Sequence, residues 1–224
     1  MTARPLPVLS LLEARVVAVL VEKERTVPDT YPLTLNALTA GCNQKTSRDP
    51  VISASDSEVL AAIDSMKRLS LVIESSGGRV MRYAQNFKRV LEVPSESVAL
   101  LTTLILRGPQ TAGELRINCE RLNRFSDISA VEGFLDELAS RPAGALVKEL
   151  PRQPGARENR WTHLLCGTPA ADSATGSAEV VESRGDLSAG EIATLKANVA
   201  QLADEVAALK ATVARLCGEL GIKN

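Results

Sequence analysis

Residues 55–83 read SDSEVLAAIDSMKRLSLVIESSGGRVMRY. Ser55 and Glu58 stand at capping-box spacing, and Val59, Ile63, Met66 and Leu69 recur at helical spacing behind them. Leu71-Val72-Ile73 then reads as a strand, Ser76-Gly77-Gly78 as a turn, and Val80 to Tyr83 as the returning strand. Adjacent glycines supply the positive φ that a tight hairpin needs. The stretch therefore predicts a helix running straight into a β-hairpin.

Upstream, Ser10 and Glu13 cap a helix over Leu11 to Arg25 whose Leu12, Val16, Val19 and Leu20 share a face. Pro28 and Pro32 break the chain, Thr34 to Cys42 reads as a short second helix with Leu35 and Leu38 inward, and a polar loop follows from Asn43 to Ser53. Three helices followed by a hairpin is the order of a winged helix. Downstream the order recurs: Ser97 to Arg107 is a helix, and Thr111 and Glu114 cap a second. Ser126 to Ala139 is a third with Val131, Phe134, Leu135 and Leu138 inward, and Ala145 to Leu150 and Arg160 to Leu165 are strands around a Pro151–Asn159 wing. At an offset of 72, Val59, Ile63 and Met66 fall on Val131, Leu135 and Leu138, as in a duplicated unit.

Residues 168–187, rich in Ala, Ser, Gly and Thr, read as a flexible linker. Beyond it Ile192, Leu195, Val199, Leu202, Val206, Leu209, Val213, Leu216 and Leu220 step four, three, four, three. With Ile192 at a, the a positions up to Val213 are β-branched and the d positions are Leu, which favours a parallel two-stranded coiled coil; Glu191 with Lys196 and Glu205 with Lys210 match its interchain charge offset. The expected fold is mainly α with small β-hairpins (α+β). It comprises winged-helix domain 1 (1–90), winged-helix domain 2 (91–167), the linker, and a coiled-coil dimerisation helix (188–224) that makes the chain a homodimer.

Formal charge is −1, distributed as +3 over residues 1–90, −1 over 91–167 and −3 over 168–224, so only the first domain leans basic. Cys42, Cys119, Cys166 and Cys217 are widely spaced without a C-x-x-C pair and read as buried reduced thiols. With one histidine and no clustered cysteines, no metal site and no cofactor are expected. Neither a signal-peptide core nor an apolar run of membrane-spanning length is evident, so a cytoplasmic protein with no membrane partner is expected.

The residues also resemble the YceH-like family of bacterial proteins. The likeness runs through LEARV at 12–16, Glu22-Lys23, Tyr31-Pro32-Leu33, CNQKTSRDPV at 42–51 and Ser57-Glu58-Val59. It continues in LRGPQT at 106–111, GELR at 113–116, Phe125-Ser126-Asp127 and PGARENR at 154–160. It spans roughly residues 10–167 with a similar heptad tail, and implies a tandem winged-helix fold without implying a reaction.

Winged helices most often bind duplex DNA, with the third helix in the major groove and the wing on the backbone. Lys45 and Arg48 in the loop, Lys67 and Arg68 at the end of helix three, Arg79 and Arg82 in the wing, and Lys88 and Arg89 beyond it are candidate phosphate contacts. Asn43, Gln44 and Arg48 could bond base edges; alternatively the two amides fix the loop and Arg48 pairs with Asp49 or a helix carboxylate. Against base reading, the outward face of helix three is Ser57, Ala61, Asp64 and Arg68, preceded by Asp56 and Glu58. In the second domain Asp127, Glu132, Asp136 and Glu137 exclude DNA from helix three and make it a candidate protein-partner surface. His163 beside Trp161 is expected to face solvent or the wing, and no catalytic residues are identified. The preferred reading is a non-enzymatic DNA-binding dimer acting as a transcriptional regulator, and the alternative is a protein-interaction adaptor whose winged helices do not bind DNA.

Overall fold

The computed structural model describes residues 8–75, 80–152, 155–156 and 158–168. The chain is α+β, with seven helices and two small antiparallel sheets among these residues. The linker and the heptad seam from Ile192 to Leu220 lie outside them, as does Arg79.

Helix α1 (Leu11–Thr26) begins at the Ser10/Glu13 capping box, in which the Glu13 N–H donates to Ser10 Oγ (3.2 Å) and the Ser10 N–H donates to Glu13 Oε2 (2.7 Å). Every residue from Ala14 to Val21 is buried, so α1 is central rather than one-faced. Strand β1 (Leu33–Thr34) leads into α2 (Leu35–Cys42), capped by the Thr34 hydroxyl. Helix α3 (Asp56–Arg68), capped by the Ser55/Glu58 box, buries Val59, Ala62, Ile63 and Met66. β2 (Val72–Ser75) and β3 (Arg82–Gln85) pair antiparallel with Ile73 opposite Ala84. The returning strand thus begins two residues later than the sequence suggests, and β1 joins on its far side with Leu33 opposite Tyr83, giving the order β1-β3-β2.

Lys88 and Arg89 do not continue the hairpin: they lie on a short helix, α4 (Phe87–Leu91), which closes with Glu92 in the left-handed region and leads into α5 (Ser95–Arg107). All residues from Ser97 to Leu106 are buried, because α1 and α5 pack on one another and each covers the face the other would leave open. Helix α6 (Ala112–Asn118) starts at the Thr111/Glu114 box, and α7 (Ile128–Ala139) buries Val131, Leu135 and Leu138. Phe134 is half-buried, edge-on to Phe125 at 6.0 Å. β4 (Val147–Glu149) pairs with β5 (Trp161–His163), and Gln110, just before α6, bridges to Trp161. That bridge repeats the placing of β1 beside β3, so the two units share strand arrangement as well as helix order.

One apolar core runs from Leu9 to Leu165 through both units. The Leu9 N–H donates to the Leu165 carbonyl (2.8 Å), fastening the start of the described chain to its end. At Gly108 the backbone has φ +74°, a conformation that favours glycine, and a Cβ there would also press on the Asp49 carboxylate at 2.9 Å.

Candidate functional site

The connection from α2 to α3 spans residues 43–55 and is built around two buried arginines. Arg48, with a fully buried side chain, grips Glu22 of α1 with both terminal nitrogens (Nη1–Oε1 3.2 Å, Nη2–Oε2 2.6 Å). It also donates to the carbonyls of Gly41 (3.2 Å) and Ser47 (2.9 Å). Arg15, wholly buried in α1, donates to the carbonyls of Cys42 (3.3 Å) and Pro50 (2.8 Å), and its Nε has no partner among the described residues. Burial opposes the Glu22 charge, but the hydrogen bonds and charge of Arg48 outweigh it and hold the carboxyl below its ordinary range. The loop is tied to the second unit as well: the Asp49 N–H donates to the Leu106 carbonyl (2.7 Å) and Arg107 Nη2 donates to Ser47 Oγ (2.8 Å).

These bonds decide where the sequence-derived candidates point. Asn43 spends both ends of its amide on the Ala54 backbone (2.8 Å each), and Gln44 donates to the Thr46 carbonyl (3.0 Å) while accepting from Lys23 (3.3 Å). Arg48 faces inward to a helix carboxylate rather than outward to a groove. Lys67 is bonded to Glu74 and lies 3.7 Å from Asp64; Arg82 donates to the carbonyls of Pro32 (2.7 Å) and Thr30 (3.3 Å). Exposed charge remains at Lys45, Arg68, Arg82, Lys88 and Arg89, since the carbonyls that Arg82 meets do not neutralise it. Lys88 and Arg89 line a shallow groove with Gln85, Asn86, Glu92 and Val93, and Lys88 Nζ donates to Ser95 Oγ (2.8 Å). On α3, Asp56, Ser57, Glu58, Ala61, Asp64 and Arg68 face solvent.

In the second unit Asp127 is the N-cap of α7, accepting from the Ala130 N–H (2.8 Å), whereas Glu132, Asp136 and Glu137 are exposed. Sequence reasoning passed over Arg15 and Glu22, although an arginine inside the apolar run from Ala14 to Val21 is itself a sign of buried pairing. It also passed over the exposed Ile117 and Ile128.

Of the two placements expected for His163, solvent or the wing, solvent is not the one found: the residue sits on β5 and is only partly exposed. Its Nδ1 is buried without a hydrogen-bond partner among the described residues, and burial pushes the imidazole down to about 4. The folded state then resists a proton that the unfolded chain accepts near pH 6.5, so stability is full above that pH and falls as pH drops toward 4. We expect a loss of about 2 kcal/mol between pH 7 and pH 5 in urea titrations, and a flat profile over that interval for His163→Gln. An equal slope in the variant would remove the histidine as its cause. Burial also raises the Cys42 and Cys119 thiols to about 12, leaving them unreactive. Among the described residues no group of three His, Cys, Asp or Glu is placed to hold a metal ion, and no helix is long and apolar enough to cross a membrane.

The chain has close sequence relatives. Residues 9–156 match the family model described as "Protein of unknown function, DUF480". A UPF0502 protein of Methylibium petroleiphilum is 61% identical over 217 residues, covering 97% of this chain and 92% of that protein. One from Dechloromonas aromatica is 58% identical over 207 residues (89% and 95%), and one from Burkholderia lata 59% over 222 residues (99% and 93%).

Proposed function

The chain belongs to the DUF480 family, and for a member built in this way we propose a non-enzymatic, cytoplasmic role in protein–protein contact. In this reading the two units are winged helices used as docking surfaces, and two copies are joined by a parallel coiled coil over residues 188–224. The observation that carries it is the inward Arg48–Glu22 pair: the basic side chain best placed to read bases has its side chain fully buried. Connection length supports it too. A DNA-reading helix-turn-helix joins its helices by about three or four residues, whereas here residues 43–55 and 119–127 intervene, the first of them committed to internal bonds. Lys67 is neutralised locally, and carboxylates occupy the first turn of α3.

Exposed Lys45, Arg68, Arg82, Lys88 and Arg89 favour a second reading, a DNA-binding transcriptional regulator. Titrating labelled random duplex at low and at physiological salt separates the two. The adaptor gives no saturable binding at low salt. Affinity that weakens with salt at a slope near −0.9 per phosphate contact, and is lost on joint replacement of Arg68, Lys88 and Arg89 by alanine, would establish the regulator instead.

A further inference from the structure

We propose that the face formed by α6 and the start of α7 joins two copies of this chain through a two-fold contact. This rests on the reading of the second unit as a docking surface and names its occupant. Ile117 and Ile128 are 69% and 45% exposed. They are neighbours: a Cβ at Gly113 would lie 3.9 Å from Ile128 Cδ1, so the Ile128 side chain lies over α6 at Gly113, and Ile117 stands one turn further along that helix. The result is a pair of exposed isoleucines on adjoining helices that the described residues leave open to solvent.

Charge of opposite sign is carried by the two elements that meet there. Arg116 on α6 reaches the Ser126 carbonyl (3.4 Å), and Arg121 and Arg124 follow on the connection to α7, with Glu120 as the one acid in their midst. From Ile128, Glu132 and Asp136 follow at one and two turns along α7. All of these are exposed, and among the described residues none takes part in an ion pair.

A two-fold contact sets each residue against a different residue of the copy, so the surface must be its own complement. An apolar centre with arginines from one element and carboxylates from the other meets that condition: the arginines of each copy face the carboxylates of its partner.

Full-length Ile128→Cys chains under mild oxidation test the contact. They should form a covalent dimer at least about tenfold faster than the parent with its own cysteines, because equivalent residues near a two-fold axis meet each other. Adding Arg121→Glu and Arg124→Glu should return the rate to the parent level, as should adding Glu132→Lys and Asp136→Lys. Co-expressing the two reversed chains should restore cross-linking between them, since each then presents the charge the other lacks. The substituted positions are exposed, and an unchanged urea midpoint checks that each variant folds. No cross-link above the parent, or one indifferent to both reversals, overturns the two-fold contact, while the wider interaction reading is decided separately by the duplex titration.

Discussion

Glu22→Ala is expected to lower the folding free energy by about 3–5 kcal/mol, measured as a shift in the urea midpoint. Arg48 would then be a buried guanidinium with only carbonyls for company, beside Arg15, which is already in that condition. The loss is a large share of the roughly 5–15 kcal/mol by which a domain is stable. Arg48→Met should be milder, because the orphaned Glu22 retains 17% exposure and has Lys23 at 3.4 Å. Combining Glu22→Leu with Arg48→Met should recover most of the loss, since apolar replacements of a buried pair avoid its desolvation cost. A cost for Glu22→Ala below about 1 kcal/mol, typical of exposed ion pairs, would mean that the pair does not hold the loop. The pH dependence has a definite sign: the Glu22 carboxyl is held below its ordinary range, so its contribution is present above the usual carboxylate range and is lost as pH falls through the lowered value.

Leu20→Ala in α1 and Leu135→Ala in α7 should each cost about 2–5 kcal/mol and displace one shared transition. Both side chains are fully buried, in different units, within a core that passes between those units through α1 and α5. The chain offers a convenient reporter, because its single tryptophan, Trp161, lies in β5 of the second unit. Fluorescence therefore follows the second unit, whereas far-UV circular dichroism follows helices in both. Coincident curves, with Leu20→Ala shifting the fluorescence midpoint as far as the dichroism midpoint, are the expected result. Separate transitions, with Trp161 unmoved by Leu20→Ala, would show that the units unfold independently.

Much of this architecture is legible before any coordinates. The Ser10/Glu13, Ser55/Glu58 and Thr111/Glu114 boxes mark helix starts to the residue, since reciprocal hydrogen bonds need fixed spacing. The repeat at an offset of 72 recovers the buried stripes of α3 and α7. Short elements escape such reading: β1 is two residues long and exists only because β3 pairs with it, and α4 is too brief to show a period. Helix α1 looks one-faced when only Leu12, Val16, Val19 and Leu20 are counted, and its burial on all sides depends on α5, which begins about seventy residues later.

The candidate surface is harder to read than the fold, for a physical reason. A basic residue in a polar loop has the same sequence signature whether it meets solvent or a distant carboxylate, and the partner of Arg48 lies 26 residues upstream on another element. Asn43 and Gln44 are ambiguous in the same way, because amides that fix a backbone and amides that read a base edge differ only in what stands opposite them. Ile117 and Ile128 go unnoticed because single apolar residues on short helices are ordinary; their adjacency arises only once α7 lies across Gly113.

The hydrogen bond from Leu9 to Leu165 has a practical corollary for anyone labelling or rewiring this molecule. A tag grafted ahead of Leu9 and cargo attached after Leu165 set out from adjacent points, so a donor and an acceptor dye at those sites begin within short transfer range. A brief peptide would suffice to splice one point to the other, leaving the polypeptide free to be opened elsewhere as a circular permutant.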